Sequence, residues 1–328
     1  MADCSANFKF GDLSYLSRIS LAQAKIQQLV RSRDALRERI RDYLRDKGIR
    51  NTRFYCQGSY AHQTLITPLN EDYDIDDGIY IDLSGFKTEP STETIHNWVV
   101  NAVEGHTQTP AKDKETCVRA MFLDGYHIDL PTYKVEGNGL GGTEKYYLAK
   151  KSAGWEESDP RAMTEWFQSI VKQHSDQVRR MVKYAKAWAD YQKSKTSTKL
   201  PNGLTMTILT CEECRSDTRD DIAFLETMRS IYLRLESNDE IWKPYEPTEN
   251  MTDYLSPTQF QYFMTQLNFL VSNGDQAVNE TSRKRAAQSW RQVLGDRFPV
   301  FDDLDEDSSQ QAKRFVAPAI VGTTLKSA

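Results

Sequence analysis

The sequence predicts an α+β protein in which one long helix and a β-rich block are followed by a helical bundle packed on the sheet. Three observations predict it. Apolar residues recur at helical spacing once near the start, alternate with period two between residues 52 and 135, and return to helical spacing from residue 158 onward.

In the stretch 21–47, Ile26, Leu29, Val30, Leu36, Ile40, Tyr43 and Leu44 fall largely at spacings of three, four and seven. This is one amphipathic helix, closed by Gly48. "TRFYCQGS" then reads as a strand ending in a turn, "YDIDDGIYIDL" as a period-two strand, and "GYHIDLPTYKV" as a third strand. Gly137, Gly139 and Gly142 match the spacing of a dinucleotide-binding fingerprint. That fingerprint opens a helix, whereas strand-like aromatics follow here, so the segment is read as a hairpin turn. Beyond Trp155 the pattern is helical. "SDPRAMTEWFQSIV" starts with Ser158 as N-cap and Pro160 in the first turn, and "SDQVRRMVKYAKAWADYQ" starts at Ser175 and buries Val178, Met181, Val182, Ala185 and Trp188. Further helical patterns cover about 220–235, 258–273 and 279–294. The expected organisation is a helix and sheet unit over 1–155, a helical lobe over 156–300, and an acidic segment with a mobile tail over 301–328.

The chain of 328 residues is long enough for two domains, and its net charge of −5 provides no overall field for nucleic acid. No apolar run approaches the ~20 residues of a membrane span, and the first residues lack the pattern of a signal peptide, so a cytoplasmic protein is expected. Five cysteines, an odd number, argue against a disulfide framework. Cys211 and Cys214 form a single C-x-x-C; a structural zinc needs a second pair, so two packed thiols are the better reading.

The chemistry lies in the carboxylates. Residues two apart on a strand project from one face, so Asp74 and Asp76 stand side by side while Asp77 points the other way. Two anions that close favour a divalent cation. A calcium loop is the rival, with Asp72, Asp74 and Asp76 at its first, third and fifth positions. That loop needs Gly at position six and Glu at twelve, where this chain has Asp77 and Leu83. Asp129 sits in another apolar strand, where an unpaired charge is costly. If the two strands are neighbours, three carboxylates can hold two Mg2+ ions, with Mn2+ as a substitute, for in-line displacement at phosphorus. Gly58 and Ser59, ending a strand, then supply a close backbone approach and a hydroxyl for phosphate. A solvated acidic turn would explain Asp72 and Asp77, but it leaves Asp129 and the Gly-Ser turn as coincidences.

"GSYAHQTL", "DYDIDDGIYI" and "HIDLPTYKV" together resemble the polymerase-β-type nucleotidyltransferase core, specifically that of the CD-NTases, bacterial relatives of cGAS that make cyclic oligonucleotide signals in anti-phage defence. The resemblance implies a mixed β-sheet core behind the long N-terminal helix. It implies that Asp74 and Asp76 bind both Mg2+ ions, and that Asp129 binds the catalytic one and helps deprotonate the attacking ribose hydroxyl. Gly58 and Ser59 would hold the donor triphosphate, with Gln57 and His62 touching donor or acceptor. A lysine on a helix after the sheet is expected to grip the triphosphate. Lys183 is the choice, with Lys186 and Arg179 on the same helical face. A hydroxyl contact is expected soon after that helix, where "KLPNGLTMT" offers Asn202 and Thr205 but no serine.

The same resemblance implies ATP and GTP as substrates, a default product of a purine-containing cyclic dinucleotide, a downstream effector that reads the product, and regulatory proteins that act at the C-terminal tail in 321–328. Nucleic-acid activation, which in the animal sensor uses an inserted zinc motif, is not expected, because no matching His-Cys cluster is present. The alternatives are transfer to RNA or to a small-molecule acceptor, and an inactive nucleotide-binding module. The inactive module would be expected to have lost an aspartate.

Overall fold

The computed structural model describes residues 1–70, 72–137, 144–245 and 249–301. The chain opens with α1 (Ser5–Lys9), α2 (Tyr15–Ile19) and the long α3 (Gln23–Asp46). The β-rich block follows as β1 (Thr52–Gln57), the one-turn α4 (Gly58–Ala61), β2 (Tyr73–Ile81), α5 (Thr92–Val103), β3 (Lys112–Asp113), β4 (Val118–Met121), β5 (Tyr126–Leu130), β6 (Thr132–Glu136), β7 (Lys145–Lys150) and β8 (Gly154–Glu157). Helices complete it: α6 (Pro160–His174), α7 (Gln177–Ser194), α8 (Gly203–Glu212), α9 (Asp220–Ser237), α10 (Pro257–Asn279) and α11 (Arg283–Leu294). The α+β architecture expected from the sequence is the one observed, and no described helix is long and apolar enough to cross a membrane.

The sheet is mixed, and β2 is its centre. β1 pairs with it antiparallel on one side, while β5 and β6 pair with it parallel. "GYHIDLPTYKV", expected as one strand, is two, because Pro131 has no N–H to give the ladder. Both halves keep one register against β2, from Tyr73↔Tyr126 to Ile81↔Lys134, and Ile79 N–H donates to the Pro131 carbonyl at 2.8 Å. The break lets β4 pair with the first half and β7 with the second, both antiparallel. The β6–β7 pairing agrees with the hairpin expected around the glycine-rich segment; Gly139 and Gly142 themselves lie outside the described residues, as does the acidic tail with its 321–328 segment.

One sheet face is packed by helices. Ile79, Ile81, Ile128 and Leu130 meet Leu36, Ile40 and Leu44 of α3 and Ile95 and Val99 of α5 in one core. The helical half has its own core around Tyr184, Trp188, Phe224 and Trp290. Phe8 of α1 enters that core, with ring centroids 5.1 Å from Tyr184, 5.1 Å from Trp290 and 5.0 Å from Phe298. Residues 5–19, grouped with the sheet in the sequence reading, therefore pack in the helical half. Burying one such aromatic contributes about 1.5–3 kcal/mol.

Several boundaries shift for local reasons. Asp159, not Ser158, caps α6, accepting from the amides of Arg161 and Ala162. Ser175 stands at φ 60° before α7. The helix expected over 258–273 runs on to Asn279 from a Ser256/Gln259 capping box, and the next starts only after its own cap, Ser282. Cys211 and Cys214 are buried free thiols.

Asp77 is not a solvated turn residue. It points into the helix-covered face, fully buried, and Arg37 of α3 grips it with Nε at 2.7 Å and a second nitrogen at 2.5 Å. Arg37→Ala leaves this carboxylate buried without its partner, so urea denaturation should show a loss of about 3–5 kcal/mol. A loss below about 1 kcal/mol, the scale of an exposed pair, would mean that the pair carries little.

Candidate active site

The opposite face of the same strands carries the aspartates. Asp74 and Asp76 alternate with the buried Ile75, and the parallel register sets Asp76 beside Asp129 and Asp74 beside His127. β4 adds Arg119 opposite Asp129, and β1 adds Gln57 opposite Asp76. Gln57, Asp74, Asp76, Arg119 and His127 form one wall of a cavity of about 1130 Å3, whose far wall comes from the helical half through Lys186, Lys193, Lys199, Asn202, Lys243 and Tyr254. Its volume is just above the range of about 300–1,000 Å3 for small-ligand sites. Asp129 is nearly buried and touches this face through its neighbours rather than through the open volume.

The electrostatics are uneven. Burial pushes the Asp76 carboxyl up to about 7, and the Asp74 and Asp129 carboxylates add to the shift. For Asp74 burial acts in the same direction, but His127, Arg119 and Lys186 outweigh it and hold the group below the ordinary carboxylate range. Asp129 receives a bidentate grip from Arg119, with Nε to Oδ1 at 2.6 Å and the second nitrogen to Oδ2 at 2.7 Å. Lys114 lies 3.7 Å from the same carboxylate. The all-oxygen donors of the three aspartates, crowded onto one face, fit hard divalent ions.

Gly58 has φ +58° and lies against Asp76, so a Cβ there would collide with that carboxylate. Beside it Ser59 Oγ accepts from Lys186 Nζ at 2.6 Å, and the same ammonium reaches the Thr64 carbonyl at 3.3 Å. Burial pulls Lys186 down to about 8, against the pull of Asp74 and Asp76. Gln57 lines the cavity, but its amide is committed: Nε2 donates to Tyr80 Oη at 3.0 Å, and Tyr133 Oη donates to its Oε1 at 3.2 Å. It fills space left by Gly78, where a Cβ would strike it. His62 is buried and stacked on Phe167 at 4.4 Å. Burial, then Lys186 and Arg179, pull its imidazole down to about 4.

Two expected contacts fall elsewhere. Lys183 does not share the aspartate cavity: its Nζ donates to Ser20 Oγ at 3.3 Å and lines a second cavity of about 890 Å3 with Arg179 and Arg180. Three residues advance the helix by nearly a full turn, so Lys186 shares the stripe and is the one that lines the aspartate cavity. Thr205 is fully buried in the first turn of α8, its hydroxyl 3.1 Å from Asn202 Oδ1 and 3.3 Å from Tyr254 Oη. Asn202, the N-cap, and Thr207 face the cavity instead. Arg119 and His127 were not chosen from the sequence. Period two from Asp129 marks His127, whereas Arg119 needs the β4–β5 register.

Asp76 must lose its proton to bind a cation. Divalent-ion affinity measured by calorimetry should therefore fall about tenfold per unit as pH drops below about 7, with one proton released per ion bound. In the ion-free protein the raised Asp76 value means stability falls as pH rises from about 4 to about 7. His62, shifted down, acts in the opposite sense between its folded value of about 4 and its ordinary 6.5. The Asp76 contribution is thus read as the difference between wild type and Asp76→Asn. A pH-independent ion affinity would contradict this account.

Residues 52–133 match the nucleotidyltransferase domain of DncV-like cyclic GMP-AMP synthases. A cyclic GMP-AMP synthase of Escherichia albertii is 27% identical over 230 residues, 67% of this chain and 50% of that enzyme. The chain thus matches about half the length of that curated relative. A cyclic AMP-AMP-AMP synthase of an Acinetobacter strain is 23% identical over 261 residues, 75% of this chain and 72% of the enzyme. Among solved structures, Vibrio cholerae DncV cyclic AMP-GMP synthase with nonhydrolyzable GTP superposes with a TM-score of 0.75 at 19% identity, covering 91% of this chain and 97% of the other. The shared fold is that of these DncV structures, sheet and helical half together, and the chain is similar to DncV-like nucleotidyltransferases through residues 52–133.

Proposed function

We propose that this protein joins nucleoside triphosphates into a cyclic oligonucleotide, with a divalent ion, Mg2+ first, and release of pyrophosphate at each step. The observation that carries the reading is the meeting of Asp74, Asp76 and Asp129 on one sheet face with the Gly58–Ser59 turn and Lys186 beside them. Bound by the aspartates, divalent ions neutralise phosphate charge and lower the barrier to hydroxyl attack. The residues of the chain do the rest. Ser59 and Lys186 hold the donor triphosphate, Gly58 lets it approach the strand end, and Asp129, held in plane by Arg119, takes the proton of the attacking ribose hydroxyl. A new P–O bond forms at the α-phosphorus as the bond to pyrophosphate breaks. Gln57 supports the turn through the two tyrosines.

ATP and GTP are the proposed substrates, and a purine cyclic dinucleotide is the default product. Similar enzymes include both cyclic GMP-AMP and cyclic AMP-AMP-AMP synthases, and the assay reads the ring size. A role in bacterial anti-phage signalling, with an effector that reads the product and regulatory proteins at the C-terminal tail, rests on the family resemblance.

Incubation with all four labelled triphosphates and Mg2+, then phosphatase and mass spectrometry, should give a resistant product without free ends. Linear products, or transfer only to added RNA or a small molecule, would overturn cyclisation. Asp74→Asn should abolish the product with an unchanged circular dichroism spectrum. Lys186→Ala should raise KM for the donor about 10- to 100-fold, the worth of a lost charged hydrogen bond. Lys183→Ala should leave KM near wild type; the reverse order would return the triphosphate role to Lys183.

A further inference from the structure

His127 stands in the middle of the aspartate face with nothing to do in the scheme above. It is 3% exposed, and among the described residues its Nε2 has no hydrogen-bond partner. A buried polar atom left unpaired is costly, and in a native site it calls for an explanation. Asp74 Oδ2 lies 3.5 Å from Nε2, an ion-pair distance but too long for a good hydrogen bond. One ligand atom each from Asp74, His127 and Asp129 lies within 4.8 Å of the others, the arrangement of a small cation site.

The other ring nitrogen is already engaged. His127 Nδ1 lies 2.9 Å from Asp72 Oδ1, and a carboxylate accepts, so the proton sits on Nδ1. With Nδ1 as the donor, Nε2 is free to turn its lone pair to a cation, which would replace the 3.5 Å contact that the ring makes with Asp74 in the absence of an ion. A histidine that donates one N–H to a carboxylate while presenting its other nitrogen is the usual arrangement of metal-ligating histidines. Asp72, half exposed at the start of β2, thereby acquires a role as the orienting carboxylate. The Arg119 grip on Asp129 does not prevent this, because two carboxylate oxygens offer about four acceptor positions.

We infer that the cation site of this protein has a mixed ligand set, with His127 Nε2 joining Asp74 and Asp129, oriented by Asp72. The inference rests on the nucleotidyltransferase reading and deepens it. Mg2+ takes oxygen ligands, whereas imidazole suits first-row transition ions. The site should therefore favour Mn2+ over Mg2+ more than three carboxylates alone would.

The test uses Mn2+ with inorganic tripolyphosphate, a nitrogen-free stand-in for the donor, in nitrogen-free buffer, read by pulsed electron paramagnetic resonance. The wild type should show a directly coordinated 14N, and His127→Gln should lose it while still binding Mn2+. Asp72→Asn, at an exposed carboxylate, keeps the test open if His127→Gln fails to fold; it should weaken Mn2+ binding about 10- to 100-fold. Bound Mn2+ without directly coupled nitrogen in the wild type would overturn the inference and leave the nucleotidyltransferase reading intact. So would a nitrogen signal that survives in His127→Gln, or an Asp72→Asn affinity equal to wild type. If Mn2+ does not bind at all and Asp74→Asn changes nothing, both readings fall.

Discussion

The period-two geometry of β2, held in register against β5, is the constraint on which the rest of the site depends. It places Asp74 and Asp76 on one face beside Asp129 and sends Asp77 to the other. Each face must then deal with its charge. On the helix-packed face a single carboxylate is matched by a single guanidinium, Arg37, and the pair can be buried. On the open face three carboxylates crowd together against Arg119, Lys114, Lys186 and a histidine, and Asp76, buried between the other two, is left with a raised carboxyl. Perturbed groups of this kind, gathered in a cleft, mark a place where a ligand is to be bound.

The two halves of the molecule divide this work. The sheet supplies acids and the Gly58–Ser59 turn; the helical half supplies lysines, with Lys186, Lys193, Lys199 and Lys243 on the far wall of the cavity. Neither wall suits a triphosphate with its cations alone. The packing of Phe8 into the helical core and of α3 on the sheet keeps both halves tied to the N-terminal segment.

The sequence was most legible where chemistry coincides with local periodicity. The Asp-x-Asp spacing needs only the strand repeat, and Gly58 next to Ser59 is local as well. Legibility ended where a choice depends on packing. Lys183 and Lys186 share a helical stripe, and only the positions of Ser20 and Ser59 separate them. Thr205 and Asn202 are three residues apart in one capped turn, and the cap turns the asparagine outward and the threonine in. Arg119 belongs to a strand of four residues, too short to show a period of two. His127 and the break at Pro131 follow from strand alternation and the missing proline N–H. The pairing of His127 with Asp72 is different, since it is a contact across strands.

The central claim is that cations and a triphosphate meet on the Asp74, Asp76 and Asp129 face beside Lys186. Anomalous scattering from crystals grown with Mn2+ and a nonhydrolysable nucleoside triphosphate tests it most directly. The account predicts manganese peaks against those aspartates, with the triphosphate along Gly58, Ser59 and Lys186. Manganese bound elsewhere, or a triphosphate seated in the cavity beside Lys183 and Arg180, would contradict it.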